Sequence, residues 1–328
     1  MRNVKRLTAI LTTACIAAGC VFGSAMTASA SETATMGIAY QYGLAYAPLV
    51  VAMEQGLIEE AYKEATGNDL EITWTQMSAG ADINTAIAAG DIQVGFMGIA
   101  PAVTGVMKGI GYKIFTNLSG QSHGMMTNDE SITSLEDLIG SDKQIALVNI
   151  GSIQHIILAK ALADNGYDAH ALDSNIVAMK HPDGMASLQS GSVACHLTSS
   201  PYIFIEREDE SLTELTEVAE AWNEEKTFIV GVAAESLYEN DPDLYEALCQ
   251  GISDAIDYVN DNPEETAELT CGYDGNDAET ELEYLQLGVY STETSGVLEM
   301  ARFMGENAFI DEAPESIDEL VFDNVVGD

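Results

Sequence analysis

Positive charge is what this chain has least of. It carries 12 Lys and Arg against 53 Asp and Glu, a formal net charge of −41. Proteins that hold nucleic acid or an anionic lipid surface do so by neutralising phosphates with cations, so both kinds of partner are excluded. The acids read instead as a solvated surface that resists aggregation. Cysteine is scarce too: Cys15, Cys20, Cys195, Cys249 and Cys271 include no C-x-x-C pair, and His123, His155, His170, His181 and His196 include no H-x-x-x-H. No zinc-type ligand set and no catalytic-triad signature follow from such spacings, so no metal, no cofactor and no enzymatic activity are expected. Beyond the N-terminus no apolar run is long enough to span a bilayer. The sequence shows no internal repeat of fixed period and no Pro/Ser-rich linker.

The N-terminus does carry a message. Arg2, Lys5 and Arg6 precede an apolar run from Leu7 to about Phe22, and small residues follow as far as Ala28-Ser29-Ala30. This pattern is a secretory signal, residues 1–30, with an A-x-A site. Its removal takes three cations and no anion, leaving a charge of −44 on an exported chain. Ala17-Ala18-Gly19-Cys20 offers a second reading, a lipoprotein box that would leave a lipidated Cys20 outside the membrane. Ala17 stands where that box usually has Leu, and the residues after Cys20 are apolar where a tether is usually polar, so cleavage after Ala30 is preferred. Cys195, Cys249 and Cys271 then remain, and buried thiols are expected, although export permits one disulfide.

From residue 35 onward strands and helices alternate. Strands are expected at 36–40, 70–75, 94–97 and 113–118, with a helix at 46–55 that Gly56 stops. The order argues for an α/β fold with a mainly parallel sheet. Residues 120–129 are polar and read as a lead-in to a second lobe. Ser134 is a plausible N-cap, with Asp137 in the capping-box position. More strands are expected at 144–148, 175–179 and 194–197, with helices at 152–165 and 182–190. Residues 227–232 read as a strand returning to the first lobe, and Asp241-Pro242 and Asn262-Pro263 each open a helix. Periodicity alone also allows one large doubly wound domain. The stretch 83–108 is the most legible: Ile83, Ala86 and Ile87 at helical spacing, a stop at Gly90, a short buried strand with Ile92, Val94 and Phe96, then a bend at Gly98 and a helix whose first turn holds Pro101. It sets a helix N-terminus at the carboxyl end of a strand, where ligands of open α/β sheets bind.

Several segments match a known pattern in order. They are Ala86 to Pro101 (Gly90, Asp91, Ile92, Val94, Gly95, Gly98), Pro48-Leu49 with Gly56-Leu57, Ser134 to Gly140 (SLEDLIG), Gly151-Ser152 with His155, Leu158 and Ala161-Leu162, and Leu188 to Ala194. Together they resemble the extracellular substrate-binding proteins of ABC importers in the nitrate/sulfonate/taurine group, which also includes binders of thiamine-precursor pyrimidines. The resemblance implies a two-lobed type II periplasmic-binding-protein fold with a ligand cleft between lobes. Lobe one would comprise 31–117 and 229–328, lobe two 118–228, with crossings near 118 and 228. It implies a monomer that captures a small molecule by lobe closure and delivers it to a membrane permease and its ATPase. An enzyme related to thiamine-pyrimidine synthases is the other class on this fold, but no Cys pair accompanies His155.

Candidate ligand-binding residues come from the strand ends. Gln41, Tyr42 and Tyr46 follow the first strand, and tyrosine supplies an apolar wall with a polar tip. Gly98 and Ile99 form the bend before Pro101, where glycine admits close approach. Gly151, Ser152 and His155 match the family motif; the first two are expected to offer free N–H groups to the cleft. Thr198 and Ser199 stand where the family often carries W-(D/E)-P, and that departure leaves the ligand open. Oxyanion-bearing small molecules rank first, since helix N-termini attract anions; heteroaromatics stacking on Tyr42 and Tyr46 rank second. For processing, intact-mass analysis of the exported protein is expected to show an unlipidated chain beginning at Ser31; a diacylglyceryl mass on Cys20 would overturn this.

Overall fold

A computed structural model describes residues 33–328; both readings of the signal segment fall outside the described residues. Strand β1 (Ala34–Tyr40) buries Met36, Ile38, Ala39 and Tyr40, and leads through a 3-10 turn into α1 (Ala47–Gln55) and α2 (Leu57–Thr66). β2 (Leu70–Gln76), α3 (Gly80–Ala89), β3 (Val94–Gly98), α4 (Ile99–Met107) and β4 (Tyr112–Gly120) follow. Gly90 ends α3 in the left-handed region, at φ 78°, which glycine adopts without strain. β3 is buried along its whole length, as befits a strand covered on both faces.

A second run begins with β5 (His123–Thr127), β6 (Ile145–Leu147), α5 (Ile153–Asp164), β7 (Ile176–Ala178), α6 (His181–Gln189), β8 (Cys195–Ser199), α7 (Tyr202–Arg207), β9 (Thr213–Leu215) and α8 (Thr216–Ala221). The chain then supplies β10 (Ile229–Ala234), α9 (Glu235–Asn240), α10 (Pro242–Asp261), α11 (Pro263–Asp274), α12 (Ala278–Leu285), β11 (Val289–Tyr290) and α13 (Val297–Glu306). The Ser134–Asp137 capping box is present, on a 3-10 turn.

The strands form two sheets. One has six strands in the order β11-β4-β10-β3-β1-β2, the other five in the order β7-β6-β8-β5-β9. β1 runs parallel to β2 and β3, and β6 runs parallel to β7 and β8. β10 is antiparallel to both of its neighbours, β3 and β4. Each sheet with its helices makes one lobe of a two-lobed α/β fold. The polar segment 120–129 is not only a lead-in: its middle is β5, buried at all five residues and antiparallel to β8 and β9. Polar side chains are tolerated there because they find partners. Thr127 Oγ1 donates to the Ala194 carbonyl at 2.9 Å, and His123 Nδ1 lies 3.2 Å from the Gln121 carbonyl while its ring stacks on Phe228 at 5.7 Å, with Nε2 left unpartnered among the described residues.

α10 shows how tightly lobe one is built. Its buried face runs Leu244, Leu248, Gly251, Ile252, Ala255 and Val259, the spacing of one helix stripe. At Gly251 the helix meets the backbone of α2: an added Cβ would lie 2.7 Å from both N and Cα of Ile58. Gly251→Ala is therefore expected to destabilise the fold by about 1–3 kcal/mol through overpacking, although alanine is the better helix former by about 1 kcal/mol. Denaturant melts check this; an unchanged or raised midpoint would show that α2 and α10 can move apart freely.

Candidate functional site

The carboxyl ends of the parallel strands of both sheets converge on one cavity of about 140 Å³. Lobe one contributes Gln41, Tyr42 and Tyr46 after β1, Ser78 and Gly80 after β2, and Gly98 and Pro101 after β3. Lobe two contributes Val148, Ser152, Ile153 and Gln154 after β6, Lys180, His181 and Pro182 after β7, and Ser199 at the end of β8. Phe228 and Ile229, where the chain returns into β10, close the cavity. Gly98 and Ile153 come nearly into contact across it: a Cβ on Gly98 would lie 2.8 Å from Ile153 Cγ2, so only glycine lets the lobes approach this closely.

The polar groups are held by local bonds. Tyr46 Oη donates to Gln41 Oε1 at 3.2 Å, and the Gln41 amide lies 3.4 Å from the Ser78 carbonyl. Burial pushes the Tyr46 phenol well above its ordinary range, so it stays a neutral donor. Ser152 caps α5, its hydroxyl accepting from His155 N–H at 3.3 Å. The N–H groups of Gly151 and Ser152 are not free, contrary to the sequence expectation. Gly151 donates to His155 Nδ1 at 3.0 Å, and Ser152 donates to the Asn149 carbonyl at 3.1 Å, because the turn into α5 closes on itself. The N–H groups without a partner among the described residues are the next two, Ile153 and Gln154, in the first turn of α5.

Six of the ten candidates read from the sequence line this cavity: Gln41, Tyr42, Tyr46, Gly98, Ser152 and Ser199. The other four do not. Ile99 is fully buried and its N–H donates to the Phe228 carbonyl at 3.0 Å. Thr198 is fully buried behind His181, with Oγ1 2.7 Å from His181 Nδ1. Gly151 and His155 line a different hollow, of about 610 Å³, between α3, α4 and the 149–151 turn.

Lys180 and His181 were missed. Their signal was available: the gap between the expected strand 175–179 and helix 182–190 is itself a strand end. Lys180 Nζ lies over the Tyr42 ring at 5.6 Å, linking the lobes by a cation–π contact, and among the described residues it forms no ion pair. His181 sits beneath it, stacked on Tyr202 at 5.6 Å, with Nε2 3.4 Å from the Gln154 amide. Burial, and to a lesser degree the His196 ring, lower its pKa to about 3, so it is neutral at physiological pH. No Asp or Glu is among the described residues that line the cavity.

Two lobes, a crossing strand and a cleft at the strand ends define the class of periplasmic binding proteins. Residues 29–272 match the NMT1-like family, and the chain belongs to that family. It is similar to the taurine-binding periplasmic protein of Escherichia coli strain K12, with 27% identity over 196 residues; the match spans 59% of each chain. Among solved structures it shares its fold with the periplasmic aliphatic sulphonate binding protein SsuA of Escherichia coli, at a TM-score of 0.69 and 20% identity over 90% of this chain and 94% of that one. The periplasmic nitrate-binding protein NrtA of Synechocystis PCC 6803 matches at a TM-score of 0.68 and 14% identity, over 88% of this chain and 84% of that one.

Under the lobe-two wall lies a second buried pair. His196 Nδ1 and Glu206 Oε1 are 2.5 Å apart, and both side chains are wholly buried. Burial pushes the Glu206 carboxyl up, to about 8, and the His196 ring down, so the pair is held neutral with one proton between its members. In the unfolded chain a glutamate ionises near 4.3 and a histidine loses its charge near 6.5. Between about pH 6.5 and pH 8 the folded state therefore binds one proton more than the unfolded state, and stability falls as pH rises, by up to about 1.4 kcal/mol per unit. Glu206→Gln keeps a donor for His196 and removes the titration. Denaturant melts are expected to show the wild type losing about 1–2 kcal/mol relative to this variant across that window; parallel curves would mean that Glu206 is already ionised at neutral pH.

Proposed function

We propose that this chain is the exported solute-binding component of an ABC importer, holding a small anion between its lobes and handing it to a membrane permease and its ATPase. The observation that carries this is the charge of the cleft. In a chain with 53 acidic residues, the described cavity lining has no carboxylate and one lysine, Lys180. The first turn of α5 adds two N–H groups without partners, and a helix N-terminus favours negative charge. The taurine-, sulphonate- and nitrate-binding proteins to which the chain is similar point to sulfonate- or nitrate-like ligands, and bicarbonate shares their single negative charge. Within this reading Gln41, Tyr42, Tyr46, Gly98, Ser152 and Ser199 touch the ligand or wall it in. Ile99, Gly151, His155 and Thr198 hold the residues that do. The lobes, 31–117 with 229–328 and 118–228, turn about the crossings near 118 and 228.

Calorimetric titration with a short alkanesulfonate, nitrate, bicarbonate and an aminopyrimidine tests it, with taurine, a zwitterion, as the sulfonate of no net charge. One of the anions is expected to bind. At a hundredfold excess over Kd it should stabilise the protein by about 2.7 kcal/mol. Lys180→Gln is expected to weaken that anion by about 1.5–3 kcal/mol, roughly tenfold to a hundredfold. Binding of the pyrimidine and of no anion, or an anion affinity indifferent to Lys180, would overturn the reading.

A further inference from the structure

Behind the cleft, a chain of hydrogen bonds runs from lobe two to the C-terminal segment of lobe one, and each donor in it is fixed by its partner. Gly151 N–H can only donate, so His155 Nδ1 accepts, at 3.0 Å, and His155 is the neutral tautomer with its proton on Nε2. Nε2–H then donates to Asp173 Oδ1 at 3.0 Å. The other oxygen, Asp173 Oδ2, lies 2.8 Å from His170 Nδ1, and His170 Nε2 lies 2.7 Å from the Asn307 carbonyl. A carboxylate and a carbonyl are both acceptors, so both nitrogens of His170 must carry hydrogen: the geometry calls for the imidazolium. Phe309 fills the space between the two rings, 4.4 Å from His170 and 5.3 Å from His155. Asn307 and Phe309 follow α13, and the surrounding segment is bonded to lobe one: Ile114 N–H to the Leu320 carbonyl at 2.9 Å and Asn117 N–H to the Thr292 carbonyl at 3.1 Å.

We propose that protonated His170 is a positioning residue that straps the turn beside the cleft wall of lobe two to lobe one, so that the spacing of the lobes follows pH. The strap ends on Gly151, next to Ser152 in the cleft wall; its bearing on ligand capture rests on the function proposed above. The charged and titratable groups around His170 are few. On its own loop Asp168 accepts its backbone N–H at 2.9 Å, and Asp173 lies three residues on. α5 presents His155, while its Lys160 is paired with Asp164 and Glu299. On the lobe-one side stand Glu306, beside Asn307, and Lys108 of α4 across the hollow. The Asn307 carbonyl first, and Asp173 next, raise the His170 pKa above its ordinary value. The strap is thus complete below about pH 6.5, the value of a free histidine, and is lost as pH rises through the raised one.

The test needs no ligand. Ring-nitrogen NMR, with His170 assigned by its absence in His170→Gln, is expected to give a midpoint above 6.5 in the wild type and a lower one in Asp173→Asn. Small-angle scattering of the ligand-free protein from pH 5.5 to 9 is expected to show the radius of gyration growing through that midpoint, with His170→Gln at the expanded value throughout. A midpoint at or below 6.5, or superimposable scattering curves for wild type and His170→Gln, overturns the proposal. Neither readout involves a ligand, so failure of the ligand reading and failure of the strap are told apart.

Discussion

β10 lies between β3 and β4, antiparallel to both, and the plan of the molecule depends on that placement. The chain leaves lobe one at the end of β4, builds the whole five-stranded sheet, and only then supplies the strand that joins β3 to β4. The strand suits this position by its composition, IVGVAA, and by Gly231, where a Cβ would lie within 2.7 Å of the Phe96 and Phe115 rings. Those two rings meet edge to face at 5.7 Å over the glycine, which gives the sheet its centre. The approach to β10 also belongs to the cleft. Phe228 and Ile229 wall the cavity, and the Phe228 carbonyl takes the N–H of Ile99 at the start of α4. The strand that completes the sheet of lobe one therefore begins in the cavity wall.

The parts of the fold that announce themselves in the sequence do so through backbone chemistry. Gly90 at positive φ, Asp241 capping α10 ahead of Pro242, and the reciprocal Ser134–Asp137 bonds are local devices with local signatures. β5 gave no such signal. His123, Gly124 and Thr127 look like a loop until neighbouring strands supply their partners, and only tertiary structure does that. The cleft was legible at the ends of β1, β3, β6 and β8, but not at the ends of β2 and β7, where Ser78, Gly80, Lys180 and His181 line it. β7 is three residues long and only partly buried, so its end, at Lys180 and His181, did not stand out beside the long apolar strands. His155 was legible as a motif residue, but its direction was not. It turns from the cleft because Gly151 N–H and Asp173 hold both of its nitrogens.

Lobe two keeps its interior neutral. His181 is uncharged, His196 and Glu206 share one proton, and Cys195 is a buried thiol whose pKa is pushed up to about 11 by burial. A wall of neutral groups leaves the charge of Lys180 uncompensated from below. Its contact on the open side is the face of Tyr42, which attracts a cation without neutralising it.

If the cleft holds an anion as proposed, the contrast between its described lining, which has no carboxylate, and the acidic chain around it would sort solutes before any contact is made. Work against a negative field grows in proportion to the charge carried through it, so a dianion meets about twice the repulsion of a monoanion on the same path. Sulfate and hydrogen phosphate, though similar in shape to a sulfonate head group, would be turned back more strongly than a singly charged ion. Screening shrinks that advantage beyond about 8 Å at physiological ionic strength. Discrimination by valence would then be sharpest in dilute surroundings, where a scavenged nutrient is itself scarce.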